Sequence, residues 1–135
     1  MIEKTLNTES LIPTNDVRNP KTILDIIPLY VHGGYEKIPP IHVISYNFSE
    51  NEKYLICSGN HRAVSAYICK KPIKCKILTE KEDLSEVLEG FAGKCETLKE
   101  LHDNCEISAK EYHYLDKGWD EFLRDMFFQN IEPNF

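Results

Sequence analysis

Tyr54-Leu55-Ile56-Cys57-Ser58-Gly59-Asn60-His61-Arg62-Ala63-Val64-Ser65-Ala66-Tyr67 is the stretch on which the reading of this chain turns. Its first four residues are an apolar run of strand length, Ser58-Gly59-Asn60 has turn chemistry, and Ala63, Val64, Ala66, Tyr67 and Ile68 fall at helical spacing. The expected unit is a strand that turns sharply into a helix from about His61 to Lys70, stopped by Lys71-Pro72. The first amides of a helix have no carbonyl partner within it, glycine lets a ligand approach closely, and His61 and Arg62 add positive charge. Together these residues make an anion trap suited to the phosphates of a nucleotide.

Working outward, Ile41 to Tyr46 alternates as a strand, Asn47 to Lys53 reads as a hairpin connection, and Tyr54–Cys57 is the return strand. Downstream, Ile73 to Leu78 alternates Ile and Cys with Lys, a half-buried strand with a lysine-lined outer face. Towards the N-terminus, Thr5-Leu6 carries a strand signal and Asn19-Pro20 a helix start, with Ile23, Leu24, Ile26 and Ile27 at helical spacing. Pro28 is expected to kink or end that helix, and Gly33-Gly34 to interrupt the pattern. Beyond Leu78 three S/T-x-x-E capping boxes follow, Thr79 with Glu82, Thr97 with Glu100 and Ser108 with Glu111. Trp119, Phe122, Leu123, Met126 and Phe127 then form an aromatic stripe whose ordinary role is core packing. The expected class is mixed α/β, a small sheet flanked by helices with additional helices at the C-terminal end.

The 135 residues suit one domain; the apolar fraction of 41% is somewhat low for a soluble globular protein, but aromatic and β-branched residues running through most of the length argue against disorder. The net charge of −6 divides into +3 over residues 1–78 and −9 over residues 79–135. The trap therefore lies in the mildly basic part. Such a balance disfavours DNA as a partner, since gripping a phosphate backbone needs a basic surface. The acidic tail reads as a solvated helix face, or as a surface for a basic protein partner. No apolar stretch is long enough to span a bilayer, and Met1 to Asn7 lacks the apolar core of a signal peptide, so the expected location is cytoplasmic. Five cysteines in no zinc-binding spacing read as reduced thiols, several of them buried.

In order along the chain, Ile38-Pro39-Pro40-Ile41-His42-Val43, the Tyr54–Tyr67 stretch and Ile73-Lys74-Cys75-Lys76-Ile77-Leu78 resemble the ParB/sulfiredoxin superfamily. Members carry a Pro-Ile-x-Val strand, a Gly-x-His-Arg or Gly-x-Arg-Arg turn, an alanine-rich helix and a closing strand. Leu11-Ile12-Pro13 through Arg18 and the helix after it look like the family's N-terminal region. The resemblance covers about residues 4–90 and leaves an acidic helical extension over about 95–135, the whole forming a single domain over 1–135.

The resemblance implies binding of ATP or CTP, with Mg²⁺ accompanying the phosphates. Ser58, Gly59, Asn60, His61 and Arg62 would form the phosphate grip, and Lys21 falls near a family lysine that meets nucleotide. Sulfiredoxin places a cysteine directly before the histidine. Here that position is Asn60, and an amide cannot replace a thiolate nucleophile, so reduction of a sulfinic acid is not expected. A kinase branch of the family transfers phosphate to a small hydroxylated acceptor and sets an acid in the loop after its first strand, where this chain has Asp16. The expected function is nucleotide binding with phosphoryl transfer or hydrolysis. The alternative is a non-catalytic module that senses a nucleotide, or whose acidic helices dock a protein. At single positions both readings stay open: Asn60 caps the helix or meets ligand, and Arg62 grips phosphate or pairs with a tail carboxylate. Arg18 and Glu36 lie in loops that the family folds towards its site, or are simply solvated.

Overall fold

A computed structural model describes residues 1–15, 20–47, 52–87 and 94–131. Among these residues five strands form one mixed sheet: β1 (Ile2–Leu6), β2 (Leu11–Ile12), β3 (Ile41–Ser45), β4 (Tyr54–Ser58) and β5 (Ile73–Ile77), in the order β1-β5-β3-β4-β2. β1 runs antiparallel to β5 and β3 antiparallel to β4, whereas β3 and β5, and likewise β2 and β4, are parallel pairs. The hairpin expected around Asn47 to Lys53 is present as the β3–β4 pairing, with Ser45 opposite Tyr54. Every residue of β4 is buried, as an unbroken apolar run requires of a strand covered on both faces. β5 buries Ile73, Cys75 and Ile77 and leaves Lys74 and Lys76 on the outer face, matching the expected alternation.

Among the described residues four α-helices cover the sheet: α1 (Pro20–Val31), α2 (Asn60–Ile68), α3 (Leu98–Glu111) and α4 (Tyr114–Ile131). α1 packs along α2, and α2 against β3. α3 packs on β4, where Cys105 meets Cys57. α4 meets β2 at the sheet edge, and there Trp119 stacks on Tyr67 of α2. Leu101, Cys105, Ala109, Tyr114, Trp119 and Phe122 thereby share one buried cluster with Leu55, Ile56 and Ile41.

The structure corrects several sequence expectations. Pro28 does not end α1, which runs on to Val31. Pro28 forfeits one bond, to the carbonyl of Leu24; that residue is 65% exposed, so solvent can satisfy the orphaned oxygen. The Pro28 carbonyl itself still accepts from His32 N at 2.8 Å. Thr79 and Glu82 form no capping box. The cap shifts by one residue onto a 3₁₀ turn, Lys81–Glu86, where Glu80 and Asp83 exchange side chain-to-backbone bonds. Two backbone amides, Thr79 N and then Glu80 N, hold the Asp83 carboxyl below the usual carboxylate range. Thr97 does cap α3, accepting from Glu100 N at 3.1 Å. Ser108 caps nothing, because it lies inside α3 and its hydroxyl donates to the carbonyl of Thr14. α4 bends at Gly118, whose φ of 59° and ψ of −139° are not helical. Trp119 and Phe122 are buried as the stripe predicts, while the side chains of Met126 and Phe127 lie outside those described. Among the described residues no helix is long and apolar enough to cross a membrane.

Candidate functional site

The strand-to-helix unit forms as expected, and the structure explains its sequence residue by residue. Ser58 closes β4 and is buried. Gly59 then takes φ 105° and ψ 28°, left-handed geometry open to glycine, and stands at the N-cap of α2. A Cβ there would come within 2.3 Å of Ile41 Cγ2 and 2.7 Å of Ile41 Cβ, so glycine is demanded by packing as well as by the backbone. The hydrogen-bond ladder of α2 begins with Ala63 N donating to Gly59 O at 2.9 Å. The amides of Asn60, His61 and Arg62 thus precede the ladder at the positive end of the helix.

Asn60 is not the cap, which corrects the sequence reading. It is the first residue of α2, and its side chain reaches across to the segment that follows β2. Its Oδ1 accepts from Thr14 N at 3.1 Å, and its Nδ2 donates to Thr14 Oγ1 at 3.4 Å. Thr14, buried beside them, donates its hydroxyl to Ile56 O and accepts from the Ser108 hydroxyl at its carbonyl. One threonine therefore joins β4, α2 and α3 behind the turn. Sequence reading missed it, because its partners lie 42, 46 and 94 residues away.

Arg62 has main-chain partners that the sequence reading did not name. Its Nη1 donates to the carbonyls of Pro39 and Pro40, at 3.1 and 3.0 Å, and so ties α2 to the entry of β3. His61 is half-buried on the first turn of α2, and its carbonyl accepts from Ser65 Oγ at 2.8 Å. Ser58, Gly59, Asn60, His61 and Arg62 are thus brought together at the carboxyl ends of the parallel pair β2 and β4. Lys21 is exposed in the first turn of α1, the helix packed along α2. Asp16 and Arg18 lie outside the described residues, and Glu36 is exposed.

All five cysteines are free thiols, with Cys57, Cys75 and Cys105 buried. Its hydrogen bond with the Cys105 thiol, and then burial, push the Cys57 thiol well up, and burial pushes Cys75 up to about 12. Cys57 is therefore a poor nucleophile and does not stand in for the cysteine missing at Asn60. Titration of the native protein with a disulfide reagent should modify the half-buried Cys69 and Cys95 first and leave Cys57, Cys75 and Cys105 intact until unfolding. Rapid native modification of Cys57 would contradict this.

His102, Asp103 and Glu106 on α3 bring three potential metal-ligand atoms within 4.8 Å of one another. Their carboxylates are already met by lysines, Asp103 by Lys99 at 2.7 Å and Glu106 by Lys110 at 2.9 Å. The group is thus a mixed-charge helix face whose negative charge is compensated from within. No protein-family model, curated protein or solved structure matches the chain.

Proposed function

We propose that this protein binds a nucleoside triphosphate at the Ser58–Arg62 turn, in the manner of the ParB/sulfiredoxin superfamily, with Mg²⁺ accompanying the phosphates. The observation that supports this reading most is the left-handed Gly59 between β4 and α2. It sets three successive amides at the start of a nine-residue helix, with the His61 side chain on the same turn. Such an end favours anionic oxygens through aligned amides and the helix dipole. Phosphoryl transfer to a small hydroxylated acceptor, or hydrolysis, is the chemistry we assign, with Asp16 as the acid that orients or deprotonates the attacking group. We place it in the cytoplasm, on the strength of five free thiols.

The Arg62 geometry favours a second reading, nucleotide sensing without chemistry. A guanidinium whose Nη1 already chelates two carbonyls positions β3 against α2 and has less to offer a developing phosphoryl charge. On that reading the exposed acids Glu96, Glu100, Glu111, Asp116 and Asp120 on and beside α3 and α4 are the face a basic protein partner would meet.

Thermal-shift titration with ATP, CTP and ADP plus Mg²⁺ tests the binding, followed by phosphate release from any nucleotide that stabilises the protein. At a hundredfold excess over Kd, ligand linkage raises the melting temperature by about 5 °C or more. His61→Ala should reduce that shift while leaving the unliganded melting temperature within about 2 °C. It is a cleaner probe than Arg62→Ala, which also removes two structural hydrogen bonds. No shift with any nucleotide, on folded protein, rejects the reading. A shift without phosphate release in the presence of hydroxylated acceptors selects the sensor.

A further inference from the structure

Asn60 gives the trap its first amide, but its side chain is engaged elsewhere. Both ends of the carboxamide are held by one residue, Oδ1 by Thr14 N at 3.1 Å and Nδ2 by Thr14 Oγ1 at 3.4 Å. An asparagine at a helix start ordinarily bonds backbone amides two or three residues on, which here belong to the trap's own turn. Thr14 draws the carboxamide off that turn and pins the first residue of α2 from outside the helix.

Thr14 is itself held from two sides. β2 ends at Ile12, since Pro13 has no N–H to offer the ladder, and the Thr14 hydroxyl donates instead to Ile56 O on β4. The Thr14 carbonyl accepts the hydroxyl of Ser108, a buried residue of α3. Thr14 is 2% exposed, so these polar groups have exchanged water for protein partners. A chain of hydrogen bonds thus runs Ser108–Thr14–Asn60, from α3 through the segment after β2 to the first turn of α2.

We infer that Thr14 is a positioning residue of the trap, and that through Ser108 the helix α3 sets how tightly the trap grips its anion. This rests on the nucleotide reading for the identity of that anion. Removing the Thr14 hydroxyl takes a partner from both Ile56 O and Asn60 Nδ2, and removing the Ser108 hydroxyl takes one from Thr14 O. Either change loosens residue 14, and the Asn60 carboxamide can then fold back on the amides of its own turn. An incoming anion would have to displace it. The coupling is reciprocal, so a ligand that orders the turn also tightens the hold on α3.

The test has two arms on the full chain, and the first needs no nucleotide. Amide hydrogen exchange is followed at Ala63, whose N–H closes the first turn on Gly59 O, relative to Cys75 in β5. The ratio cancels global unfolding, which opens both amides. Thr14→Val and Ser108→Ala are expected to speed Ala63 about tenfold relative to Cys75. Thr14→Ser keeps the hydroxyl and should hold the ratio within about twofold of wild type. Leu101→Ala, a buried truncation on α3 outside the chain of bonds, should also stay within about twofold although it destabilises the fold. The second arm is the Kd for ATP or CTP with Mg²⁺, measured by calorimetry below the melting range of each variant. Thr14→Val and Ser108→Ala should weaken binding about fivefold to tenfold, with recovery in Thr14→Ser. In Asn60→Ala no carboxamide is left to fold back, so adding Thr14→Val should cost less than about twofold. An unchanged exchange ratio in Thr14→Val and Ser108→Ala overturns the coupling, whatever the nucleotide does. A changed ratio with an unchanged Kd overturns the control of affinity. Equal weakening by Thr14→Val with and without the Asn60 side chain overturns the route through Asn60. Failure of folded wild-type protein to bind either nucleotide rejects the nucleotide reading and the control of affinity with it, and the exchange ratio alone then decides the coupling.

Discussion

Gly59→Ala is expected to lower the melting temperature by about 10 °C or more, the largest effect of a glycine-to-alanine change among the described residues. Two independent costs meet at this position. A φ of 105° is left-handed, and an L-residue held there loses about 1–2 kcal/mol. The new methyl would also sit 2.3 Å from Ile41 Cγ2, and Ile41 is 0% exposed in the middle of the sheet, with no free space to retreat into. Overpacking of that kind costs about 1–3 kcal/mol, giving a total of about 2–5 kcal/mol. Gly118 is the internal control. Its φ of 59° is also left-handed, but a Cβ there would meet nothing within 4 Å, so Gly118→Ala should cost only the backbone part. Calorimetry on Gly59→Ala, alone and in the background of Ile41→Ala, which removes Cγ2, separates the terms, and equal losses in the two backgrounds would show that Ile41 Cγ2 adds nothing. The functional consequence follows from the same contact. Relief of the clash must move α2 away from β3, carrying the amides of residues 60–62 with it. Nucleotide stabilisation should therefore fall in Gly59→Ala even at temperatures where the variant is fully folded.

The parts of the fold that could be read from the sequence are those set by local chemistry. The β3–β4 hairpin, the Gly59 turn, α2 and β5 each carry their own period and punctuation, and each formed within a residue or two of its expected limits. What escaped depends on partners far away in the chain. The parallel pairing of Leu11-Ile12 with Tyr54-Leu55 has no connecting turn to announce it, so the position of Thr14 behind the turn could not be inferred. Ser108 looked like a cap because a hydroxyl three residues before a glutamate has that pattern, yet its partner is the carbonyl of Thr14. Arg62 read as a phosphate grip or the partner of a tail carboxylate from its charge and place, and its bonds to the main chain were not foreseen. Its Nη1 partners prove to be two main-chain carbonyls in a Pro39-Pro40 segment, where prolines lack the N–H groups that would let the chain pair as a regular strand. A cation beside an anion trap and a cation bracing the strand next to it look identical in one dimension.

Phe122→Ala should cost about 3–5 kcal/mol, a large part of the 5–15 kcal/mol that holds a domain of this kind together. Phe122 is 1% exposed and meets two rings edge-on, Tyr114 at 5.2 Å and Trp119 at 5.4 Å. Trp119 in turn lies flat against Tyr67 of α2 at 4.9 Å and donates its indole N–H to Thr8 O at 2.8 Å. Removing the phenyl ring opens a void that the stacked rings cannot close without breaking the indole bond, which places the cost at the upper end of the range. The size of this effect decides what the C-terminal helices are. An acidic appendage beside a complete core would unfold alone, leaving the main transition where it was. The shared aromatic cluster instead makes α4 part of the support of α2, so one cooperative transition should shift as a whole, with circular dichroism and tryptophan fluorescence reporting the same midpoint. Ile107→Ala, on the outer side of α3 at 55% exposure, should change stability by no more than about 0.5 kcal/mol. A loss below about 1 kcal/mol for Phe122→Ala, or an early separate transition in fluorescence alone, would return α4 to the status of an appendage. The grip at Gly59 would then have to be built without it.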